Sequence, residues 1–246
     1  MSQLIIIEGN IGVGKTTLTT NLSKVITATP IHEPVDDNPY LARFYEDPKR
    51  WALEMQFWLM SHRFNAHQDA VKMVWSEGKT VIMDRSIYGD NVFAKMHFDL
   101  CNIDEEGYQN YCNMRNVMLR FLMLPQIAIF LHASPKVCLN RVKERNRGCE
   151  SGLTIEYLTK LQAHYNDLKA NLVSHGTHVI DIDYEDIRPL DEILAKIRPH
   201  LCKFETYETI KPNYLVSHPL GMTPKSAKQE IDDGLQKLFN NGGILC

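Results

Sequence analysis

Three observations in this sequence predict an α/β fold, a five-stranded parallel sheet flanked by helices. Five short runs have strand length: Leu4–Ile7, Pro30–Glu33, Thr80–Met83, Gln126–His132 and His178–Ile182. Segments of helical period separate them. The first run passes directly into a glycine-rich turn carrying Lys and two Thr, LIIIEGNIGVGKTT, and a helical pattern follows.

Leu4 to Ile7 is continuous, aliphatic and mostly β-branched, which suits a strand buried on both faces. Gly9, Gly12 and Gly14 lack Cβ, so the backbone through Asn10, Ile11 and Val13 can curl and aim its N–H groups at an anion. A helix beginning near Lys15 turns its unpaired N–H groups and positive dipole end toward the same anion. Lys15 supplies a mobile charge for the β- and γ-phosphates, and the Thr16 hydroxyl suits Mg²⁺. Gly9, Gly14, Lys15 and Thr16 satisfy G-x-x-x-x-G-K-[ST]. Together with Thr17 they predict a P-loop NTPase fold that binds a nucleoside triphosphate.

After the first helix, Lys15 to about Ile26, a short strand is expected to end at Glu33. Pro34 has no N–H for a sheet ladder and disfavours helix in the residue before it. Open parallel sheets present their ligand crevice at the carboxyl ends of the strands, which places Glu33 near the phosphates; a solvated loop carboxylate is the competing reading. His32 reads as structural. Asp36 to Tyr45 is turn-rich, and a long helix from about Pro48 to Trp75 puts Gln56, Leu59, Met60 and Arg63 on one face. An amide and a guanidinium among Trp51, Met55, Trp58, Leu59 and Met60 suit a pocket that reads a flat, polar-edged ring. Simple pairing of Arg63 with a nearby acid competes evenly with that reading.

The strand Thr80 to Met83 ends in Asp84-Arg85-Ser86. A carboxylate at a strand tip beside a phosphate loop can hold Mg²⁺ or accept a proton from an attacking hydroxyl, so Asp84 is a catalytic candidate. Asp90 opens the next helix, where an N-terminal cap is its plainest role. Asp99 to Leu124 reads as helix stopped by Pro125, Val137 to Glu144 and Leu153 to Val173 as two more, and Leu190 to Ile197 as the last. Arg141 and Arg145 share a helix face. With Arg147 and the nearby Gly148 and Gly152 they compose an arginine-rich lid that would clamp a triphosphate and exclude water. A solvated basic turn is the alternative.

Composition bounds the rest. A chain of 246 residues can bury a full core, and its net charge of −3 gives no electrostatic case for nucleic acid. No apolar run is long enough to span a membrane, and no leader pattern precedes Leu4, so a cytoplasmic protein is expected. The cysteines lack C-x-x-C spacing, which favours reduced thiols over zinc or a redox pair. Composition changes near Phe204, dividing the chain into a domain over 1–203 and an extension over 204–246. Lys225 to Asn240 in that extension suggests an amphipathic helix.

The stretches GNIGVGKTT, HEPV, FYEDPKRWALEMQFWLMSHR, DRSIYGDNVFAKM and RVKERNRGCESGLTIEYL resemble, in matching order from about Leu4 to Leu201, the deoxynucleoside kinase family. Asp84 stands where the animal enzymes usually have Glu. DRS and EPVDDNPY are more similar to the bacterial-type deoxyadenosine and deoxyguanosine kinases. The resemblance implies ATP- and Mg²⁺-dependent phosphorylation of a deoxynucleoside at its 5′-hydroxyl, with a purine expected, deoxyadenosine first and deoxyguanosine second. It casts Glu33 as the carboxylate beside the 5′-hydroxyl and its general base, Asp84 as a proton acceptor or magnesium-associated acid, and Arg85 as a contact to the 5′ region and phosphates. Tyr45 and Glu150 match the pair on the sugar 3′-hydroxyl. Gln56 matches the amide on the base edge, Arg63 and Asp90 a polar pair that helps choose the base, and Phe93 a packing residue against it. The segment after Asp90 is one residue shorter than in the animal enzymes. Arg141, Arg145 and Arg147 match the lid, and Glu185, Asp186 and Ile187 the loop near the ATP adenine. A homodimer with feedback inhibition by a deoxynucleoside triphosphate is also implied. Two rivals remain: a thymidylate-type nucleoside monophosphate kinase, and a non-catalytic structural P-loop subunit. HEPV, Gln56 and Tyr45 speak against the first. Retention of Lys15, Glu33, Asp84 and Arg85 speaks against the second.

Overall fold

The computed structural model describes residues 2–33, 38–146, 150 and 152–201. The expectations for Pro34, Arg147, Gly148 and the 204–246 extension lie outside these residues.

Strands β1 (Leu4–Gly9), β2 (Thr29–Ile31), β3 (Val81–Asp84), β4 (Ile127–His132) and β5 (His178–Asp183) pair in parallel in the order β2-β3-β1-β4-β5. β1 is central, and all six of its residues are buried, as its aliphatic run requires. Its neighbours β3 and β4 lead to opposite edges of the sheet, so the chain reverses direction around β1. A ligand crevice opens at such a point. Register does the fine placement, setting Ile7 opposite Asp84 and Gly9 opposite Leu131.

Helices α1 (Lys15–Val25), α2 (Leu41–Glu46), α3 (Pro48–Ser76), α4 (Asp90–Asp99), α5 (Glu105–Leu119), α6 (Pro135–Arg145), α7 (Ile155–Ser174) and α8 (Leu190–Ile197) surround the sheet. Four of them start on side-chain caps. Asp47, Asp104, Ser134 and Thr154 each accept a hydrogen bond from the backbone N–H three residues on, satisfying donors that the helix itself leaves unpaired. Pro48 and Pro135 occupy first-turn positions, where a missing N–H costs nothing. The main core joins Ile5, Ile7, Ile82, Ile127 and Ile129 of the sheet to Leu18 and Leu22 of α1, Leu158 of α7 and Ile193 of α8. A second cluster, Phe44, Ala52, Met55 and Ile103, packs α2 against α3.

Several boundaries differ from the sequence expectations. β2 ends at Ile31 rather than Glu33, because its pairing with β3 stops at Ile31 opposite Met83; the Glu33 side chain goes to two arginines instead. The stretch read as turns before Tyr45 contains α2, which apolar packing of Phe44 holds in place. The helix expected over Asp99 to Leu124 begins only at Glu105 and stops at Leu119. Cys101 takes a left-handed φ of 56°, and the N–H groups of Asn102 and Ile103 both turn back to the His97 carbonyl, so Asp104 starts a new helix as its cap. β5 alternates, burying Ile180 and Ile182 while Asp181 and Asp183 are exposed, because it is a sheet edge. Cys101, Cys112 and Cys138 are free thiols.

Candidate active site

The phosphate loop leaves β1 through Gly12, which has a φ of 78° and whose Cβ, were one present, would lie 2.4 Å from the Cys138 carbonyl oxygen. Only glycine allows both the turn and that approach. Asn10 pins the loop to α7 by donating to the Leu158 carbonyl at 2.8 Å, while its own oxygen accepts from the Ile11 N–H at 2.9 Å. Lys15 Nζ folds back onto the carbonyls of Asn10 and Gly9, at 2.6 and 3.1 Å. Burial, and after it the charge of Arg85, push the Lys15 amine down to about 7 against the opposing pull of Asp84 and Glu33. Thr16 and Thr17 stand exposed on the first turn of α1. The Thr16 hydroxyl donates to Asp84 Oδ2; Asp84 Oδ1 is buried with no partner.

Opposite this loop lies a buried network of charges. The Arg63 guanidinium forks, giving one nitrogen to Asp90 Oδ1 and the other to Glu33 Oε1. Arg85 Nε lies 3.2 Å from Glu33 Oε2, so both oxygens of Glu33 face guanidinium groups. Burial pushes the Glu33 carboxyl up, but Arg63 and Arg85 together outweigh it and hold the group at about 2. Arg85 also donates to the Tyr165 hydroxyl at 2.7 Å, and its guanidinium lies over the Phe93 ring, 4.9 Å from the centroid. Asp90 begins α4, where the helix dipole favours its charge. Gln56 is wholly buried on the same helix as Arg63, and neither of its amide atoms has a partner.

A single cleft brings most of these groups together: Lys15, Thr16, Glu33, Tyr45, Arg63, Asp84, Arg85, Phe93, Arg145 and Glu150 all line it. Gln56 and Asp90 are not among its lining residues; Asp90 adjoins it through Arg63. At the lid, Arg145 donates to Glu150 Oε2 at 2.5 Å. Arg141 is a clamp between two loops, bonded to the carbonyls of Val13, Tyr184 and Glu185 at 3.2, 2.9 and 2.9 Å. The Glu185 carboxylate accepts from the Ser134 N–H and hydroxyl at the start of α6, and Asp186 and Ile187 are exposed. Arg147 falls outside the described residues. Sequence reasoning missed Tyr157, which lines the cleft, and Tyr165, which holds Arg85. Tyr165 lies on the leucine-rich buried face of α7 and Tyr157 is half-buried on the same helix, and a tyrosine on such a face is a usable signal, because a buried hydroxyl needs a partner. Tyr184 was missed as well; it sits so close to Gly14 that a Cβ there would meet its ring at 2.9 Å.

A family model described as deoxynucleoside kinase matches residues 5–203. This chain belongs to the deoxynucleoside kinase family. The deoxyguanosine kinase of Dictyostelium discoideum is 35% identical to it over 196 residues, which span 80% of this chain and 69% of that protein. The deoxyadenosine kinase of the same organism is 34% identical over 208 residues, 85% of this chain and 83% of that one. A solved deoxyadenosine kinase from M. mycoides with bound dATP superposes with a TM-score of 0.71 at 27% identity, covering 80% of this chain and 99% of its own. As a deoxynucleoside kinase the protein transfers a phosphoryl group to a deoxynucleoside. The cleft has the glycine-rich loop at one end and the Glu33, Arg63 and Arg85 network at the other. No described helix is long and apolar enough to cross a membrane.

Proposed function

We propose that the protein transfers the γ-phosphoryl group of ATP to the 5′-hydroxyl of a purine deoxynucleoside, deoxyadenosine ahead of deoxyguanosine. The observation that carries this reading is the Arg63 fork between Glu33 and Asp90, with the unsatisfied amide of Gln56 on the same helix. Phosphoryl transfer asks little covalent work of a protein, so catalysis here is positioning plus charge neutralisation. The N–H groups of Gly9 to Thr17 and Lys15 hold the donor phosphates. Arg85, Arg145 and Arg147 neutralise the moving group, and Glu33 orients the 5′-hydroxyl and draws its proton. The unpartnered Asp84 Oδ1 and the Thr16 hydroxyl suit Mg²⁺, which when bound supplies charge neutralisation between the phosphates. Tyr45 and Glu150 take the sugar 3′-hydroxyl, Phe93 packs on the base, and the Glu185–Ile187 loop lies on the adenine side of ATP.

Hydrogen-bond chemistry orders the bases. The Gln56 amide offers one donor beside one acceptor, which matches adenine at N1 and its amino group, and guanine at O6 and N1. Asp90 Oδ2 is buried without a partner. It suits the second hydrogen of the adenine amino group, whereas guanine would present another acceptor there. We further read residues 1–203 as the catalytic domain and 204–246 as an extension, the family match ending at 203. The working form is a homodimer, in keeping with the apolar Met114 and Val117 exposed on α5 and Phe121 just beyond it.

Four deoxynucleosides assayed with ATP and Mg²⁺ test the reading. The expected order of kcat/KM is deoxyadenosine, deoxyguanosine, then the pyrimidines, with gaps that can reach about 10⁴-fold where a buried polar group is left unpaired. Preference for a pyrimidine overturns the purine reading. Activity that survives unchanged in Lys15→Ala overturns the donor site.

A further inference from the structure

Glu8 carries an ionisable group that none of these roles uses. It sits on central strand β1 between Ile7 and Gly9 and is wholly buried, where a carboxylate is costly and an aliphatic side chain would suit the strand better. Its Oε1 accepts two hydrogen bonds, from the Ser86 N–H at 2.9 Å and the Ser86 hydroxyl at 2.7 Å; Oε2 has no partner. What Glu8 grips is one end of an unusual turn. Arg85, beside Ser86, has a left-handed φ of 66°, a conformation that costs energy in any residue with a Cβ. Its own N–H is tied to the Ile7 carbonyl at 3.0 Å. Two consecutive residues of β1 thus hold two consecutive residues of the turn, and the turn aims the Arg85 guanidinium at Glu33 and Tyr165.

Gly89 is an independent sign that the carboxylate has a reserved place. Its φ of −73° is open to any residue, yet a Cβ there would lie 2.6 Å from Glu8 Oε1 and 2.7 Å from Oε2. Glycine is needed at this position for the space of the Glu8 carboxylate and not for backbone freedom.

We propose that Glu8 is a positioning residue, holding the strained Asp84-Arg85-Ser86 turn so that Arg85 points at the transferring phosphoryl group. This rests on the role assigned to Arg85 above. Glu8→Gln keeps the shape and removes the charge. Gly89→Ala keeps Glu8 and pushes its carboxylate off Ser86. Each is made in the full chain, alone and with Arg85→Lys, and assayed for kcat, KM and melting temperature with the deoxynucleoside that the wild type turns over best. Both single variants should lose roughly 10- to 100-fold in kcat with KM within about 3-fold, since a displacement near 1 Å at a reacting centre costs about 100-fold. Added to Arg85→Lys, either should cost less than about 3-fold more, because coupled residues do not add. Losses that multiply with that of Arg85→Lys, or a lowered melting temperature at wild-type kcat, overturn the proposal. Wild-type kcat in Arg85→Lys alone overturns the role of Arg85, and the proposal with it. If Glu8→Gln fails to fold, Gly89→Ala decides the matter by the same criteria.

Discussion

At the glycine-rich end of the cleft the polar groups come from one stretch, Gly9 to Thr17. At the other end they come from Glu33, Arg63, Arg85 and Asp90, spread over four elements or loops and joined by side chains. The two ends also differ in charge balance. Lys15 is buried with two carbonyls for company and an amine pushed down to about 7, so it is held uncomfortably until phosphates arrive. Glu33, Asp90, Arg63 and Arg85 neutralise one another in advance. On the proposed function, one end gains from its ligand and the other is complete before its ligand comes.

The largest test of that contrast removes one member from each end. Arg63→Leu strands Asp90 as a buried, unpaired carboxylate and leaves Glu33 with Arg85 alone, and breaking a buried pair this way costs about 3–5 kcal/mol. Lys15→Met relieves a buried cation and should leave unfolding free energy unchanged or slightly raised. Urea unfolding of both variants measures this; a loss below about 1 kcal/mol for Arg63→Leu would break the comparison.

A somewhat smaller effect belongs to acid. Glu33 titrates at about 2 in the folded protein against an ordinary 4.5, so its contribution is complete above about pH 4.5 and is lost as pH falls toward 2. That contribution amounts to as much as about 3 kcal/mol. Melting temperature followed from pH 6 to pH 2 should fall less steeply in Glu33→Gln than in the wild type, and parallel curves would show that the guanidinium pair does not hold Glu33 ionised.

The smallest effect is a proton. Because the Lys15 amine sits at about 7 rather than 10.5, it is mostly neutral at pH 8, and bound phosphates favour its charged form. Binding of ATP should take up nearly one proton at pH 8, much less at pH 6, and none at either pH in Lys15→Met. Titration calorimetry in buffers of different ionisation enthalpy reads this directly. Equal uptake at both pH values would remove the contrast between the two ends.

The donor loop could be read from the chain because its requirements are local: glycines where the backbone must curl, then a lysine and a threonine at fixed offsets from a strand end. Asp84 was legible for a related reason, since a strand ending in a carboxylate places that group at the sheet's rim. Of the Arg63 fork, pairing with an acid was one open reading and the resemblance coupled Arg63 with Asp90, but the second prong, to Glu33, was not legible. Glu33 and Asp90 lie 30 and 27 residues from Arg63, and helical spacing on α3 says which face Arg63 shares but not what meets that face. Arg141 shows the same limit from the other side: its i, i+4 spacing with Arg145 suggested a free clamp for phosphate, whereas its guanidinium is bonded to three backbone carbonyls.

By itself, then, the sequence determined the parallel sheet, the phosphate loop and the helix face that Arg63 shares with Gln56, because aliphatic runs, glycine spacing and helical period act over a few residues. Only the tertiary structure decided which charges meet. It put Ile7 opposite Asp84, tied Ser86 to Glu8, and forked Arg63 between two carboxylates. The physical reason is burial: away from water a charge must find its partner across the fold, and sheet register and helix packing determine which partner is within reach.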